Sequence, residues 1–299
     1  MIYDKWMSYI RDDVPITKVV MPGAHNAGSK GMNFMACCQD GSLYDQAKYG
    51  VRHFCLRLGE DRLGRIHIAH GVTRGMLLSE ALSGLARALD ENDTEFYILD
   101  LREYYDQKVG PIKLSFSADP GLVDVLLARY IDPQRYAYTD FDRIGDVTMG
   151  DLRKSGKRFI IVNEKTDYAY SKAAETIFPW SAEFHGSNPE YFSRHVAEYF
   201  DSDHTDGIYW FQTQETPNLG TDVGMTFPYK LDQLNRPFFP EMIERIRTTP
   251  SYLEQANVIE GDFMTLDYMK VRLIISLNLD KGTVKEELRE EFAKGLETV

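Results

Sequence analysis

Seven short, predominantly apolar runs constrain the fold of this chain more than any other feature of its sequence. Each run is four to eight residues long and mostly continuous instead of alternating, which is typical of a strand covered on both faces in a parallel sheet. The runs lie at residues 17–21, 51–58, 66–69, 95–101, 158–162, 207–212 and 257–260. Segments with helical spacing lie between or after them, at residues 77–89, 151–157, 189–200, 266–277 and 284–296.

This alternation predicts an α/β fold in which strands and helices form a single, distorted TIM-like barrel. No linker divides the 299 residues, so we expect one barrel domain over residues 1–299. The alternative is an open doubly wound sheet, but the glycine-rich phosphate turn of that fold is missing. Residues 167–188 and 218–240 are expected to be irregular insertions over one mouth of the barrel.

The charge balance narrows the classes of partner. The chain has 46 acidic and 34 basic side chains and a net charge of −12, which argues against a nucleic-acid partner and against electrostatic docking to anionic bilayers. No apolar run approaches the roughly 20 residues of a membrane span. The start of the chain shows no signal-peptide pattern, so we expect a cytoplasmic protein or the mature form of a secreted one. We also expect a monomer.

Cysteine usage predicts neither a disulfide framework nor a structural metal site. The three cysteines are Cys37, Cys38 and Cys55; an odd number with an adjacent pair suits a reducing compartment. No pair has the spacing of zinc ligands. We expect Cys55 to be a small buried core residue.

Polar side chains follow several of the predicted strands at their carboxyl ends, where barrel enzymes place their active sites. His25, Arg57, His70, Arg102 and Asp262 all lie at such ends. Two imidazoles beside a guanidinium suit in-line phosphoryl transfer. One imidazole takes a proton from the nucleophile, the other gives a proton to the leaving oxygen, and the guanidinium stabilises the developing charge.

Five segments, in this order along the chain, resemble phosphatidylinositol-specific phospholipase C, in particular its X-domain core. They are residues 22–28 (PGAHNAG), 50–57 (GVRHFCLR), 69–71 (AHG), 95–103 (EFYILDLRE) and 258–263 (VIEGDF). The resemblance implies a phosphodiesterase that cleaves a phosphatidylinositol-type phospholipid to diacylglycerol and a cyclic inositol phosphate. In it His25 would be the general base, His70 the general acid and Arg57 the stabiliser of transition-state charge, while Asp262 would orient His25.

Two positions depart from the bacterial, metal-independent members of that family. Asn26 stands where they have aspartate directly after the first histidine, and Cys55 stands where they have aspartate two residues before the arginine. The calcium-dependent members need carboxylates where this chain has Cys55, Arg57 and Arg102, and arginines repel a dication. We therefore predict no metal and no cofactor.

Further contacts to substrate are expected from three residues. Asn26 and Arg102 lie beside the predicted mouth, and Lys165 follows the fifth strand, next to Glu164, where the family has an arginine. In contrast, His53 and His67 are expected to be structural residues that face the helices.

An apolar rim is expected beside the mouth, where it would touch a membrane interface. The first part is Met32–Cys38, directly after the first catalytic loop, and Phe238–Phe239 would form a second finger. The competing interpretation of Met32–Cys38 is a packed helix over the barrel.

Two functional alternatives remain open. One is a phosphodiesterase that acts on another head group, including soluble glycerophosphodiesters. The other is a catalytically weakened protein that binds a lipid or an inositol phosphate, an alternative that Asn26 and Cys55 keep open.

Overall fold

The computed structural model describes residues 2–103, 108–109, 112–113, 116–163, 167–172, 176–177, 189–201, 207–214 and 227–298. The strands, in chain order, are β1 (Met21–Ala24), β2 (His53–Glu60), β3 (Ile66–His70), β4 (Thr73–Leu77), β5 (Tyr97–Glu103), β6 (Lys108–Val109), β7 (Ile112–Lys113), β8 (Phe116–Ser117), β9 (Phe159–Asn163), β10 (Ser171–Lys172), β11 (Thr176–Ile177), β12 (Ile208–Gln212) and β13 (Val258–Gly261).

The α-helices are α1 (Leu43–Tyr49), α2 (Leu78–Glu91), α3 (Pro120–Ile131), α4 (Pro133–Tyr136), α5 (Met149–Ser155), α6 (Pro189–Phe200), α7 (Pro228–Asn235), α8 (Phe239–Thr248), α9 (Pro250–Gln255), α10 (Met269–Asp280) and α11 (Arg289–Glu297). Short 3-10 helices lie at Ile2–Tyr9, Ile16–Lys18, Ile144–Asp146, Arg236–Phe238 and Glu286–Leu288. Within the described part of the chain, no helix is both long enough and apolar enough to cross a membrane.

Eight parallel strands curl into the barrel, in the order β10-β9-β5-β2-β1-β13-β12-β11. Among the described residues no ladder joins β10 to β11, the two ends of this order. The α/β fold and the distorted TIM-like barrel predicted from the sequence are confirmed. The extent of the domain, residues 1–299, stays a prediction.

The strands at the heart of the barrel are apolar because both of their faces are covered. Every residue of β1, β9, β12 and β13 is buried. The helix α1 has defined ends: Ser42 and Asp45 form a capping box at its start, and Gly50 ends it with φ +111°, a conformation that favours glycine. This helix leads the chain back to β2, beside β1.

Three predicted elements are wrong in detail. Residues 66–70 do not form a barrel strand, because β3 pairs antiparallel with β2 and β4 and makes a hairpin. The first barrel strand begins at Met21, since a 3-10 helix occupies Ile16–Lys18. The expected irregular insertion at residues 218–240 contains α7. The other expected insertion, at residues 167–188, contains the strands β10 and β11, each of which is too short to show a pattern in the sequence.

Candidate active site

His25 and Asp262 meet at the carboxyl ends of two neighbouring parallel strands. β1 and β13 are in register, with Ala24 opposite Gly261, so the next residue of each strand emerges at the same height. The Nδ1 atom of His25 lies 2.7 Å from Oδ1 of Asp262. Both side chains are buried, so this pair is shielded from water.

The other ring nitrogen of His25 faces two donors. Nη2 of Arg57 lies 3.2 Å from His25 Nε2, and Nδ2 of Asn26 lies 3.1 Å from it. A guanidinium can only donate, so Nε2 must carry the lone pair. This assigns the proton to Nδ1, which donates it to Asp262. The arrangement matches that of a general base oriented by a carboxylate.

Burial and charge act on this pair together. Burial, with Arg57 and Arg102 nearby, holds the pKa of His25 well below its usual value of 6.5. Burial also raises the pKa of Asp262, while the ammonium group of Lys270 opposes that rise. His25 is therefore neutral in the empty site and has a lone pair on Nε2 that can accept a proton.

His70, at the end of β3, completes the polar mouth. Its ring centroid lies 6.3 Å from that of His25, with the two planes at 82°. Nδ1 of His70 donates to the carbonyl oxygen of Ala36 at 3.0 Å, so Nε2 is the atom that exchanges protons. Burial lowers the pKa of His70 to about 4. The two imidazoles therefore lie side by side at one mouth, where both can reach the same group.

The side chain of Gln39 ties the two halves of the site together. Its Nε2 donates to the carbonyl oxygen of His25 at 2.8 Å and to that of Gly261 at 2.9 Å, and its Oε1 accepts from the backbone N–H of Met264. Gln39 is fully buried. One amide therefore holds the ends of β1 and β13 in a fixed relation.

Arg102 lies close to the mouth on β5, opposite Arg57 in the strand register. Its Nε donates to Oδ2 of Asp100 at 2.7 Å, and its guanidinium lies 4.2 Å from the ring centroid of Trp210. The carboxylate of Asp100 contributes to raising the pKa of Arg102 above its usual value. This pairing holds the guanidinium of Arg102 in place inside the barrel.

Beneath the mouth the barrel contains a buried polar layer. Glu260 accepts from Nε2 of Gln212 at 3.3 Å, and burial raises the pKa of Glu260 to about 8. Cys55 is buried as expected, and burial raises the pKa of its thiol to about 12. His53 packs edge-on against Trp210 inside the barrel, so the expectation that it faces the helices is wrong.

One mixed group of potential metal ligands occurs in the part of the chain that the structure describes. His25, Cys38 and Asp262 each offer a ligand atom, and these atoms lie within 4.8 Å of one another. A cation there would compete with the hydrogen bond from His25 to Asp262 and would lie near the charge of Arg57. The donor set therefore suits proton transfer better than it suits a resident metal.

The structure is similar to solved bacterial phospholipases. A variant of the phosphatidylinositol-specific phospholipase C from Staphylococcus aureus matches with a TM-score of 0.67 and 16% identity, covering 95% of this chain and 98% of that one. The enzyme from Listeria monocytogenes matches with a TM-score of 0.64 and 16% identity, covering 92% and 98%. The chain has the fold of bacterial phosphatidylinositol-specific phospholipase C. No protein-family model matches the sequence, and a search of the curated proteins found no match.

Within this phospholipase C fold, the structure brings together most of the predicted site residues. His25, Arg57, His70 and Asp262 share one mouth, Asn26 contacts His25 directly, and Arg102 lies beside them. The seventh predicted residue, Lys165, lies outside the described residues. What each side chain does stays a prediction.

The apolar segments differ from one another. In Met32–Cys38, Phe34 and Met35 are exposed, and the segment forms turns instead of the competing packed helix. In contrast, Phe239 is buried, and Phe238 is partly buried and packed against the core. The expected second finger is therefore wrong, because Phe239, the first residue of α8, is buried in the core, and Phe238 packs against the core.

Three residues of the site escaped the sequence analysis. Cys38 lies 3.5 Å from Nδ2 of Asn26, Gln39 ties β1 to β13, and Lys270 contacts the backbone of Asp262. Cys38 and Gln39 lie in a loop without a pattern. Lys270 does have a signal, since it is a single charge on the apolar face of a helix that follows Asp262 closely.

Proposed function

We propose that this chain cleaves the phosphodiester bond of a phosphatidylinositol-type lipid by a phospholipase C reaction. The observation that carries the proposal is the placement of the His25 ring: Nδ1 lies 2.7 Å from Oδ1 of Asp262, and Nε2 lies at the mouth, 3.2 Å from Nη2 of Arg57. The ring of His70 lies beside it, 6.3 Å away between centroids. The similarity to bacterial phospholipases C in fold supports the same reaction class.

The reaction needs two proton transfers. Nε2 of His25 takes the proton of the inositol 2-hydroxyl as its oxygen attacks phosphorus, and the charge of Asp262 stabilises the imidazolium that forms. The bond from phosphorus to the glycerol oxygen breaks, and His70 gives a proton to that oxygen. Arg57 stabilises the negative charge on the phosphoryl oxygens. The products are diacylglycerol and a cyclic inositol phosphate, which water can open with the histidine roles reversed.

His70 must be protonated before it can act as an acid. Burial lowers its pKa to about 4 in the empty site, but a phosphodiester anion bound beside it raises the pKa again. Substrate binding therefore prepares the acid. The carbonyl oxygen of Ala36, which accepts from Nδ1, directs the exchangeable proton of Nε2 toward the substrate.

The test is turnover of phosphatidylinositol in detergent micelles, with EDTA present, followed by phosphorus NMR. We expect the signal of a cyclic phosphodiester, and its loss in His25→Ala. Turnover that EDTA abolishes would contradict a metal-free reaction. Turnover only of other phosphodiesters, such as glycerophosphodiesters, would contradict the assigned head group.

A second candidate is a weakened protein that binds an inositol phosphate or lipid. It is favoured by Asn26, whose amide contacts Nε2 of His25 where the family has an acid that supports proton transfer. This candidate predicts no turnover by the wild type and unchanged ligand affinity in His25→Ala. Isothermal titration with inositol phosphate, run beside the turnover assay, separates the two.

The membrane contact is proposed to be an apolar rim that consists of Phe34, Met35 and Val72, all exposed. Asn33 donates to Oγ1 of Thr73 at 3.0 Å, which joins the loop to the β3–β4 turn. A further S. aureus structure, with a TM-score of 0.65, 17% identity and 93% and 97% coverage, comes from work on modulation of that enzyme's membrane binding.

Sedimentation with phosphatidylcholine vesicles tests this rim. The variant Phe34→Ser/Met35→Ser/Val72→Ser should bind several-fold more weakly, since exposed apolar area drives interfacial binding. Val125→Ser is the control, because Val125 is equally exposed but lies on α3. Equal binding by the wild type and the triple variant would contradict the proposal that this rim contacts the membrane.

A further inference from the structure

A buried lysine lies directly behind the catalytic carboxylate. Lys270, in α10, is only 5% exposed. Its Nζ donates to the backbone carbonyl oxygen of Asp262 at 2.8 Å and also bonds Oδ1 of Asp232, in α7. Burying an ammonium group is costly unless it is paired, so its place against Asp262 requires an explanation.

The turn after Asp262 is held by a second cation. Phe263 has φ +50°, a left-handed conformation that is strained for a residue with a side chain. Nη2 of Arg236 donates to the carbonyl oxygen of Phe263 at 3.1 Å, and Arg236 pairs with the same Asp232 at 3.0 Å. Two cations that share one carboxylate thus hold two successive carbonyl groups.

The charged and titratable groups around Asp262 come from several elements of the barrel. They belong to His25 after β1, Cys38 in the loop that follows, Arg57 in β2, His70 in β3, Asp232 in α7 and Lys270 in α10. Lys270 favours the ionised form of Asp262, and Asp232 disfavours it. The two residues therefore act on Asp262 with opposite signs.

We propose that Lys270 is a positioning residue for the candidate reaction: it holds the turn that carries Asp262, and its positive charge favours the ionised carboxylate of Asp262 beside His25. The proposal rests on the proposed function in that it gives the pair of His25 and Asp262 a catalytic use. Lys270 does not touch the reacting atoms. It acts through Asp262, with Asp232 as its counter-charge.

The test is the pH dependence of the His25–Asp262 pair in Lys270→Met, which keeps the length of the side chain and removes its charge. Without the cation, the pair takes up a second proton more easily. The acid limb of the pH profile of kcat/KM should therefore move to higher pH by roughly one unit. The decrease in kcat should be larger than the change in KM. Lys270→Arg, which keeps the charge and the donor, should restore the limb.

Asp232→Asn should shift the acid limb in the opposite direction. A variant that merely folds badly would not produce opposite shifts, so the pair of variants separates a charge effect from misfolding. Removing this negative charge should move the acid limb to lower pH. Lys281→Met is the matched control: Lys281, which caps α10, is a partly buried lysine, and it donates to the carbonyl oxygen of Ala256, before β13 and at the other end of the barrel. It should leave the limb unchanged.

The same titration is read without any substrate from the ring nitrogens of His25 by ¹⁵N NMR. If Lys270→Met and Asp232→Asn shift it in opposite directions while the wild type turns over no phosphatidylinositol, the proposed function fails and the role of Lys270 stands. If both variants shift it in one direction, or neither shifts it, the proposal is overturned.

Discussion

Two buried histidines in this barrel have opposite surroundings. His25, after β1, donates from Nδ1 to Asp262 and faces Arg57 with Nε2. His53, at the start of β2, has no hydrogen-bond partner at either ring nitrogen among the described protein groups. Burial lowers the pKa of both, to about 3 for His53. Burial therefore favours the neutral form of both rings and does not distinguish between them.

The hydrogen-bond partners of the two rings distinguish His25 from His53. The Asp262 carboxylate selects one tautomer of His25 and stabilises the cation that would form when Nε2 accepts a proton. His53 lacks such a carboxylate, and its contact is the aromatic ring of Trp210, 4.3 Å away between centroids. A hydrogen bond to a carboxylate, more than depth in the core, distinguishes the candidate base His25 from the packed ring of His53.

The largest effect is expected when the carboxylate at the mouth is neutralised. Asp262→Asn should lower kcat by roughly 10³- to 10⁴-fold, because the imidazolium of His25 loses its counter-charge and the tautomer is no longer enforced. The measurement is turnover of phosphatidylinositol by phosphorus NMR.

Glu260→Gln, two residues earlier on the same chain, is the matched control. Glu260 lies in the buried layer beneath the mouth, where its carboxyl accepts from Nε2 of Gln212, and glutamine is close to isosteric with it. Turnover should change only a few-fold. Equal losses in the two variants would remove the distinction between the mouth and the layer beneath it.

An intermediate effect is expected in the pH dependence of stability. The pKa of Glu260 is raised from 4.5 to about 8 on folding, so its neutral form supports the fold fully below pH 4.5, and this support is lost as pH rises through 8. Relative to wild type, Glu260→Gln should gain at most about 1.4 kcal/mol per pH unit between these limits. Urea unfolding at pH 5 and pH 8 measures it; a constant difference would show that Glu260 ionises freely.

The smallest effect is expected at His53. In His53→Leu, two unpartnered ring nitrogens are replaced by apolar atoms, so the free energy of unfolding should stay equal or rise by about 1 kcal/mol. Turnover should remain that of the wild type. Urea unfolding measures the change in stability. A clear loss of both stability and turnover would mean that His53 supports the active site.

The sequence predicted the barrel because periodicity is a local property. Continuous apolar runs mark strands that are covered on both faces, and barrel enzymes place polar residues at the strand ends, which located His25, Arg57 and Asp262. The β3 hairpin was missed because a short apolar run has the same pattern in parallel and antiparallel pairing. His53 was misplaced because alternation along β2 does not say which set of side chains points inward.

The sequence by itself determined the class of fold and the ends of strands where chemistry is expected, since both depend on residue type and spacing. Only the tertiary structure decided that Nδ1 of His25 faces Asp262, that Gln39 bridges β1 and β13, and that Lys270 lies behind the carboxylate. These relations join residues that are as many as 237 positions apart. They depend on strand register and helix packing, which bring distant segments within hydrogen-bond distance and which no local pattern encodes.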